Sequence, residues 1–413
     1  MTEKVAENKN EGRFLGWIDK RYPLTAFWRQ HLSEYYAPRN FNFWYFFGSF
    51  SLLVFVSQII SGIWLVMEYT PTGDQSFQSV QHIMREVRYG WLLRFMHTTG
   101  ASAFFAVVYL HMYRGLIYGS YKKPRELVWL VGMVIYLMLL FEAFTGYVLP
   151  WGQMSYWGAA VITSFASAIP YLGDLILVWL RGDFNVSGVT LHRFFSLHVI
   201  AIPLLLAVMI FVHLVALHKV GSNNPDGIEI KDKKDKEGVP LDGIPFHPYY
   251  TVKDLVGVVV FLMVFCYIMF FMPTAGGLFL EPDNFIPANP LQTPPEISPV
   301  WYMTPFYAML RAVPNKLFGV MTMAAAIALM FVLPWLDRSR VRSIRYKGAL
   351  SKIAIVVFII CFCGLGYLGH EGVSPLRTIM ARILTISYFG FFLLMPFYTA
   401  IEKTKRLPER VTG

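Results

Sequence analysis

Long apolar runs with few charges constrain this chain more than any other feature of its sequence. Six runs are each close to the roughly 20 apolar residues that a helix needs to cross a bilayer. Two more are long enough but contain arginine and histidine. The six are 43–67, 127–149, 252–272, 317–336, 350–368 and 383–401, and the two with ionisable residues are 91–118 and 189–217. We therefore predict an all-α integral membrane protein with eight transmembrane helices.

The distribution of charge supports this prediction and gives an orientation. Only 15% of the residues are charged, against about 25% in soluble domains. The net charge of +10 does not indicate a nucleic-acid partner, because the basic residues gather on one side of the predicted topology. They lie in 4–39, 122–125, 231–236, 338–347 and 403–410. By the positive-inside rule, both termini of this multi-pass protein are cytoplasmic.

The predicted spans divide the chain into five parts. A cytoplasmic N-terminal segment, 1–42, precedes a transmembrane four-helix bundle, 43–218. A cytoplasmic loop, 219–251, leads to a second four-helix domain, 252–402, and the cytoplasmic tail is 403–413. Within the second domain, the outer loop 274–303 is rich in proline and glycine. Loops of this length are usually functional or disordered.

Four histidines lie at matched depths on the two spans that carry ionisable residues. His97 and His111 on the second span differ by 14 in sequence number, and His198 and His213 on the fourth differ by 15. A spacing of 14 returns to within about 40° of the same helix face, and 15 misses by about 60° the other way. Both spans run inward, so His97 would face His198 near the outer surface, and His111 would face His213 near the inner one.

Facing imidazoles at two depths, roughly 21 Å apart, are typical axial ligands of two six-coordinate haems. A lone intramembrane histidine more often forms a hydrogen bond between helices, but four at matched depths favour haem ligation. Because no cysteine lies in a C-x-x-C-H motif, we expect the two b haems to be bound without covalent attachment. The first four spans would therefore form a dihaem bundle.

Glycines and arginines occur at the same two levels. A flat macrocycle requires neighbouring helices without a Cβ atom, and arginine can bind haem propionates as a fork-shaped donor. Arg94 and Arg114 each lie three positions from a predicted ligand. The glycines form two pairs with the same spacing as His97 and His111, namely Gly48 with Gly62 on the first span and Gly132 with Gly146 on the third.

Several motifs resemble the cytochrome b family of bacterial quinol–cytochrome c reductases, the cytochrome bc1 complexes. They are Arg94-Phe95-Met96-His97 with Gly100-Ala101-Ser102, the run 146–155 followed by Trp157-Gly158-Ala159, the runs 193–198 and 221–225, and Pro248-Tyr249-Tyr250 with Lys253-Asp254. The resemblance extends from about residue 41 to residue 402. It implies a location in the bacterial inner membrane.

The resemblance also implies two quinone sites, with ubiquinol and ubiquinone as substrates. Quinol would be oxidised at an outer, periplasmic site, giving one electron to a Rieske iron–sulfur protein and one through both haems to quinone at an inner site, coupled to proton translocation. Implied partners are that Rieske protein, cytochrome c1, a second copy of the complex and membrane lipids. By the family's pattern, the inner site contains His218, Ser222, Lys253 and Asp254, and the outer site contains Tyr147, Gly158, Trp301, Tyr302 and Tyr307.

One position departs from this pattern. The family usually has Pro-Glu-Trp-Tyr, whose glutamate is a proposed proton acceptor, whereas this chain has Val300 at that place. Our hypothesis is that Glu296, four positions earlier, takes the outer-site proton instead. Glu142 is the rival candidate, because it lies about 7 Å along the helix axis from Tyr147. An ionisable residue inside a span is a functional candidate by default, although Glu296 could be a solvated loop carboxylate and Glu142 a structural hydrogen-bonding residue. The choice between them stays open.

A second departure is the spacing of 15 between His198 and His213, where mitochondrial-type relatives have 14. It leads us to expect a different tilt of the inner haem. Three other classes remain as alternatives: a dihaem membrane anchor of a dehydrogenase or hydrogenase, a transporter with a proton relay, and a purely structural subunit, for which buried arginine and histidine would be an uncompensated cost. The first does not account for four extra spans, and the second has no use for glycines at the haem levels.

Overall fold

The computed structural model describes residues 13–29 and 33–412, and these residues are almost entirely helical. Residues 1–12 and 30–32 of the predicted N-terminal segment lie outside the described residues. The helices are α1 Arg13–Asp19, α2 Leu24–Trp28, α3 Phe46–Val66, α4 Ser76–Arg85, α5 Gly90–Tyr118, α6 Glu126–Val148, α7 Gln153–Ser164, α8 Gly173–Arg181, α9 Gly188–Ser196, α10 Ile202–Val220, α11 Thr251–Phe271, α12 Thr304–Ala312, α13 Lys316–Leu336, α14 Ala349–His370, α15 Pro375–Leu393 and α16 Met395–Ile401. A two-stranded antiparallel sheet pairs β1 Tyr36–Pro38 with β2 Gly243–Pro245.

Seven helical stretches in the described residues are long and apolar enough to cross a membrane. They are Phe43–Val66, Glu126–Val148, Gly188–Val220, Phe246–Phe271, Lys316–Leu336, Ala349–His370 and Pro375–Leu393. The chain is therefore a multi-pass membrane protein. The eighth predicted span corresponds to α5, which has 29 residues and is about 43 Å long, but its arginines and histidines exclude it on composition. A total of eight spans stays a prediction.

The predicted bounds of the last span, 383–401, are wrong. The helix begins earlier, at Pro375, after the N-cap Ser374 accepts a hydrogen bond from the Arg377 main-chain N–H at 3.3 Å. The predicted span omitted the first turns of this helix because they contain the charged residues Arg377 and Arg382. Each guanidinium group donates to a main-chain carbonyl, on Gly372 and on Ala312 respectively, both at 2.9 Å. Those hydrogen bonds let the helix carry both arginines.

Helix α11 packs against the first bundle. Its contacts are with α3 and α5, and the ring of Phe261 stacks on that of Phe50 with 4.9 Å between centroids. Helices α12 to α15 pack on one another. The predicted domain boundary at residue 252 thus separates α11 from the helices that it contacts, because sequence order alone does not report packing partners.

Tyr302 joins the second half of the chain to the first four-helix bundle. Its ring stacks on Phe105 with 3.8 Å between centroids, and its main-chain carbonyl accepts a hydrogen bond from the Tyr109 hydroxyl at 2.5 Å. The Tyr109 hydroxyl also lies 3.1 Å from that of Tyr136. Tyr302 is 4% exposed. This contact fixes the end of the outer loop against α5, between the levels of the two histidine pairs.

A wide helical turn interrupts the fourth span directly at His198. The segment Leu197–Ala201 is a π-helical turn between α9 and α10. Such a turn accommodates one additional residue within a helix. The spacing of 15 between His198 and His213 therefore covers nearly the same rotation about the helix axis as a spacing of 14 does in a regular α-helix. The angular offset inferred from the longer spacing therefore does not apply, and the reason for expecting a different tilt of the inner haem is removed.

The C-terminal tail is held against the loop 219–251 by Asp226. This fully buried carboxylate accepts hydrogen bonds from the Thr412 main-chain N–H at 2.8 Å, from Asn40 at 2.9 Å and from Tyr346 at 2.9 Å, and it pairs with Arg345 at 3.1 Å. These hydrogen bonds hold the pKa of Asp226 below its usual value although burial opposes them. The tail, the loop and the N-terminal segment thus form one structure at this end.

Candidate functional site

The four predicted haem ligands form two facing pairs. The ring centroids of His97 and His198 are 6.1 Å apart, with the ring planes at 85°. Those of His111 and His213 are 6.4 Å apart, at 65°. Metal–imidazole bonds are about 2 Å long, so each gap has room for one metal atom between two ring nitrogens. The pairing is the one expected from the sequence.

Each of the four predicted glycines lies beside one histidine of these pairs. A Cβ atom on Gly146 would lie 2.3 Å from His198 Cε1, which is closer than side-chain atoms approach without displacement. The corresponding distances are 3.3 Å from Gly62 to His97 Cε1, 3.4 Å from Gly48 to His111 Cε1 and 3.3 Å from Gly132 to His213 Cε1. The absence of a side chain at these four positions therefore keeps both imidazole gaps open, as a haem requires.

The neighbours of the outer pair orient its rings. The Ser61 hydroxyl donates to the Ser57 carbonyl at 2.8 Å and lies 2.9 Å from His97 Nδ1, so it can accept the Nδ1 hydrogen. The Nδ1 atom of His198 lies 3.0 Å from the main-chain carbonyl of Glu142. Both rings then present Nε2 to the gap. Sequence reasoning missed Ser61, although its position next to Gly62 was a usable signal.

Arg114 fits a propionate-binding role. Its guanidinium group lies over the Tyr45 ring, 4.9 Å from the centroid, and Nη2 is 3.4 Å from His111 Nδ1. Its buried Nε atom has no hydrogen-bond partner among the described residues. An anionic group entering beside the inner histidine pair would supply that partner. Arg94 lies one helical turn before His97 on α5.

A cavity of about 370 Å³ brings the inner histidine pair together with the predicted inner quinone residues. Gly48, Gly132 and Arg114 line it as well. The Asp254 carboxylate accepts a hydrogen bond from Ser49 at 2.8 Å, and the Lys253 ammonium donates to the Phe41 carbonyl at 2.9 Å. The predicted members of this lining are His111, His213, His218, Ser222, Lys253 and Asp254.

Tyr35 is an inner-cavity residue that sequence reasoning missed. Its ring lies 4.6 Å from that of His218, and its hydroxyl lies 3.5 Å from the Ser222 hydroxyl. Pairing of β1 with β2 brings Tyr35 there, because Phe246 directly after β2 donates its main-chain N–H to the Tyr35 carbonyl at 2.8 Å. A contact between segments so distant along the chain leaves no local signal in the sequence.

A second cavity, of about 280 Å³, lies between the outer ends of α6 and α7 and the segment 297–307. Tyr147, Gly158, Val300 and Tyr307 line it. The Tyr307 hydroxyl donates to the Ile297 carbonyl at 3.0 Å. This is the predicted outer quinol site, and it is mainly apolar, as a quinol ring and isoprenoid chain require.

Trp301 and Tyr302 do not line this cavity in the described part of the chain. The Trp301 indole N–H donates to the Ser102 hydroxyl at 3.2 Å, and Tyr302 packs on Phe105. Their side chains therefore face α5 rather than the space between α6 and α7. Trp301 and Tyr302 would contribute to the outer site by holding in place the segment 297–307, which forms one wall of the cavity.

Neither carboxylate suggested by the sequence reaches the outer cavity as lined by the described residues. Glu296 is exposed and lies at the loop after α14, where a Cβ on Gly372 would be 2.0 Å from its Oε1. The Oε1 atom of Glu142 lies 3.1 Å from His198 Nδ1 instead. Helical rotation explains the latter result, since Glu142 and Tyr147 are five positions apart and project from different faces of α6.

Glu281 is the carboxylate that lies next to the outer cavity. The Tyr147 hydroxyl donates a hydrogen bond to its Oε2 at 2.7 Å, and the residue is 8% exposed. Burial raises the pKa of Glu281 to about 7. Asn284 holds this part of the loop in place by accepting hydrogen bonds from the Ser155 main chain at 2.9 Å and hydroxyl at 3.0 Å. Sequence reasoning missed Glu281 because it lies 134 positions from Tyr147.

Comparisons with known proteins agree with this geometry. The family model described as Cytochrome b/b6/petB matches residues 32–221, and Cytochrome b(C-terminal)/b6/petD matches residues 287–389. A cytochrome b of Allochromatium vinosum is 59% identical over 407 residues, covering 97% of this chain and 98% of the relative. A cytochrome b of Rickettsia prowazekii is 49% identical over 410 residues, covering 99% and 100%.

A solved structure and a fused relative extend the comparison. The structure, described as a hyperthermophilic respiratory Complex III, superposes with a TM-score of 0.87 and 38% identity, covering 94% of this chain and 99% of that chain. A cytochrome b/c1 of Bradyrhizobium diazoefficiens is 46% identical over 399 residues, which are 96% of this chain and 56% of the relative.

Proposed function

Since this chain belongs to the cytochrome b/b6 family, as the cytochrome b of a complex III-type reductase, we propose that it oxidises quinol at the outer cavity and reduces quinone at the inner one. Cytochrome b is the core subunit of complex III, which is an oxidoreductase, and the family implies haem b as cofactor. Bacterial relatives of this kind fit a location in the inner membrane.

The observation that carries the proposal is the match between glycines and histidines. Four glycines on α3 and α6 each lie beside one histidine on α5 or on the fourth span, at two levels. A proton relay would need polar partners at those positions and gives no reason for glycine there. Two b-type haems, when bound, would carry single electrons between the levels.

At the inner cavity, the chain would supply protons to quinone during its reduction to quinol. Asp254 and His218 line this cavity and would carry the protons, and the hydroxyls of Ser222 and Tyr35 lie beside His218. Lys253 would hold the entrance of the cavity by its hydrogen bond to the Phe41 carbonyl. This inner face would be the cytoplasmic one, with both termini on the same side.

At the outer cavity, Tyr147 and Glu281 would remove a proton from quinol. Of these two residues, Tyr147 lines the cavity. Its hydroxyl donates a hydrogen bond to Glu281. Tyr147 can accept a proton from a quinol hydroxyl while its own proton passes to the carboxylate. Glu281 would thus replace the glutamate that is missing at Val300, and we prefer it to Glu296 and Glu142 on grounds of contact.

Proton release would follow from the position of Glu281 in the outer loop. The neighbouring Asp283 is exposed and offers a route from Glu281 to the periplasmic water. Uptake inside and release outside would couple electron transfer to proton translocation. A Rieske iron–sulfur protein would accept one electron of quinol and pass it to cytochrome c1, and the other electron would cross to the inner cavity, within a homodimeric complex that uses ubiquinol as substrate.

Optical spectra recorded during a potentiometric titration of the purified complex test this proposal. We expect two b-type components, with one lost in His97→Leu and the other in His111→Leu, because each change removes one axial ligand. His192→Leu is the matched control, since this exposed histidine on α9 belongs to neither pair. Absence of haem bands, or one component that neither change affects, would instead favour the transporter.

A further inference from the structure

The C-terminal tail is fastened to one end of the two-stranded sheet by a buried carboxylate, that of Asp242. This residue directly precedes β2 and is 3% exposed. Its Oδ2 atom accepts hydrogen bonds from Arg410 Nε at 2.8 Å and from the Val411 main-chain N–H at 3.2 Å. Arg410 Nη2 also donates to the Leu241 carbonyl at 2.7 Å. Because a buried carboxylate is costly unless it is paired, these contacts hold the tail on β2.

Arg39 links the same carboxylate to the other strand. It directly follows β1, and its guanidinium group lies 3.5 Å from Asp242 Oδ1. Its main-chain N–H donates to the Asp242 carbonyl at 3.1 Å, and its Nη2 donates to the Val411 carbonyl at 3.0 Å. Val411 itself is 2% exposed. One carboxylate therefore joins both strands and the tail.

The opposite end of the sheet forms part of the wall of the inner cavity. Tyr35 directly precedes β1 and Phe246 directly follows β2, and both line the cavity. Each strand has three residues, so Tyr35 lies about 10 Å along the sheet from the Asp242 end. A two-stranded sheet is marginally stable by itself. The position of Tyr35 therefore depends on the contacts that hold the sheet at its other end.

We propose that Arg410 and Asp242 are positioning residues that hold Tyr35 in the wall of the inner quinone site. The Tyr35 ring lies 4.6 Å from that of His218, and its hydroxyl lies 3.5 Å from the Ser222 hydroxyl. A quinone in this cavity would meet these three side chains together. The inference rests on the proposed function of the inner cavity, and it gives the C-terminal tail a part in quinone binding.

Oxidation of the prereduced b haems by a water-soluble ubiquinone, followed in the purified complex, tests the inference. In Arg410→Ala, we expect the quinone concentration that gives half of the maximal rate to rise about tenfold, the change that accompanies loss of one hydrogen bond to a ligand. The maximal rate should change little, and so should the reduction of the haems by quinol at the outer cavity. Arg406→Ala is the matched control, because this exposed arginine lies in the same tail, and it should leave the half-saturating concentration unchanged.

A double variant separates positioning of Tyr35 from a general effect on the protein. Tyr35→Ala alone should raise the half-saturating concentration. Adding Arg410→Ala to it should raise that concentration no further, because the tail acts through this ring. An unchanged value in Arg410→Ala or in Tyr35→Ala would overturn the inference, and so would effects that multiply in the double variant.

Two further outcomes are distinguishable from these. If quinone does not oxidise the haems of the unmodified complex, the proposed function of the inner cavity fails. Should Arg410→Ala not assemble with its haems, Arg410→Lys decides the matter, since it keeps a positive charge beside Asp242 but loses the second donor to the Leu241 carbonyl. A raised half-saturating concentration in Arg410→Lys supports the inference, and an unchanged one contradicts it.

Discussion

Replacement of Glu281 by glutamine is expected to slow quinol oxidation by the purified complex about 100-fold at pH 7. A positioned general base contributes roughly 10²- to 10⁴-fold, and the lower end applies because water and Asp283 offer poorer routes. Glutamine preserves the hydrogen bond with Tyr147, which the structure shows at 2.7 Å, but it cannot accept a proton. The measurement is steady-state reduction of cytochrome c with a soluble quinol.

The pH profile provides an independent signature of the same residue. Burial raises the pKa of Glu281 from 4.5 to about 7, so the carboxyl group is protonated below that pH and cannot accept a proton. The rate of quinol oxidation should therefore rise as the pH increases through 7 and level off above it. In Glu281→Gln this limb should be absent, and the remaining rate should show no ionisation near pH 7.

Two further variants serve as controls for Glu281. Glu296→Gln changes an exposed carboxylate that lies away from the outer cavity, so both rate and pH profile should be retained. Tyr147→Phe breaks the contact between the cavity and Glu281, so it should resemble Glu281→Gln. A normal rate in Glu281→Gln together with a slow Glu296→Gln would return the proton-acceptor role to Glu296.

Gly146→Ala is expected to remove the outer haem while leaving the inner one in place. The added methyl carbon would lie 2.3 Å from His198 Cε1 and 2.8 Å from its Nδ1. Relief of that overlap requires the His198 imidazole to move, and a ring that is held by Glu142 on one side and would hold a haem iron on the other has no second position. We expect one of the two b-type components to be lost from the spectrum, with quinol oxidation falling to background.

Gly390→Ala is the matched control for this change. Gly390 lies in α15, and a Cβ atom there meets nothing within 4 Å, so both haems and the turnover should be retained. Because both substitutions add one methyl group to a glycine within a span, a general effect on folding would appear in both. Full haem content in Gly146→Ala would show that the outer gap is wider than the structure indicates.

The facing of the four histidines, and the glycines beside them, could be predicted from the sequence because these residues follow the period of a helix. His97 and Gly62 lie on helices whose register is fixed once the spans are recognised, so spacing alone assigns them to a level. Matched depth then pairs each histidine with the correct partner. Nothing beyond rise, rotation and membrane orientation was needed for this part of the site.

The residues that were missed depend on contacts between distant segments. Glu281 reaches Tyr147 through a loop that Asn284 ties to the start of α7, and Tyr35 reaches the inner cavity through the pairing of β1 with β2. Neither loop has a periodic pattern. The prediction that Glu142 lies near the outer site failed for a different reason. It used the distance of Glu142 from Tyr147 along the helix axis and did not use the direction in which the side chain projects.

The π-helical turn at Leu197–Ala201 also bears on how the chain should be aligned with its relatives. The histidine spacing here is longer by one than in mitochondrial-type relatives. A sequence alignment would ordinarily place the corresponding gap near the second histidine, and every residue between the two histidines would then be misaligned by one position. The structure places the wider turn at Leu197–Ala201 instead, a segment that contains His198 itself. Removing one residue from this turn should leave His213 in register, so membrane helices of this kind can gain or lose a residue in evolution without changing the metal site.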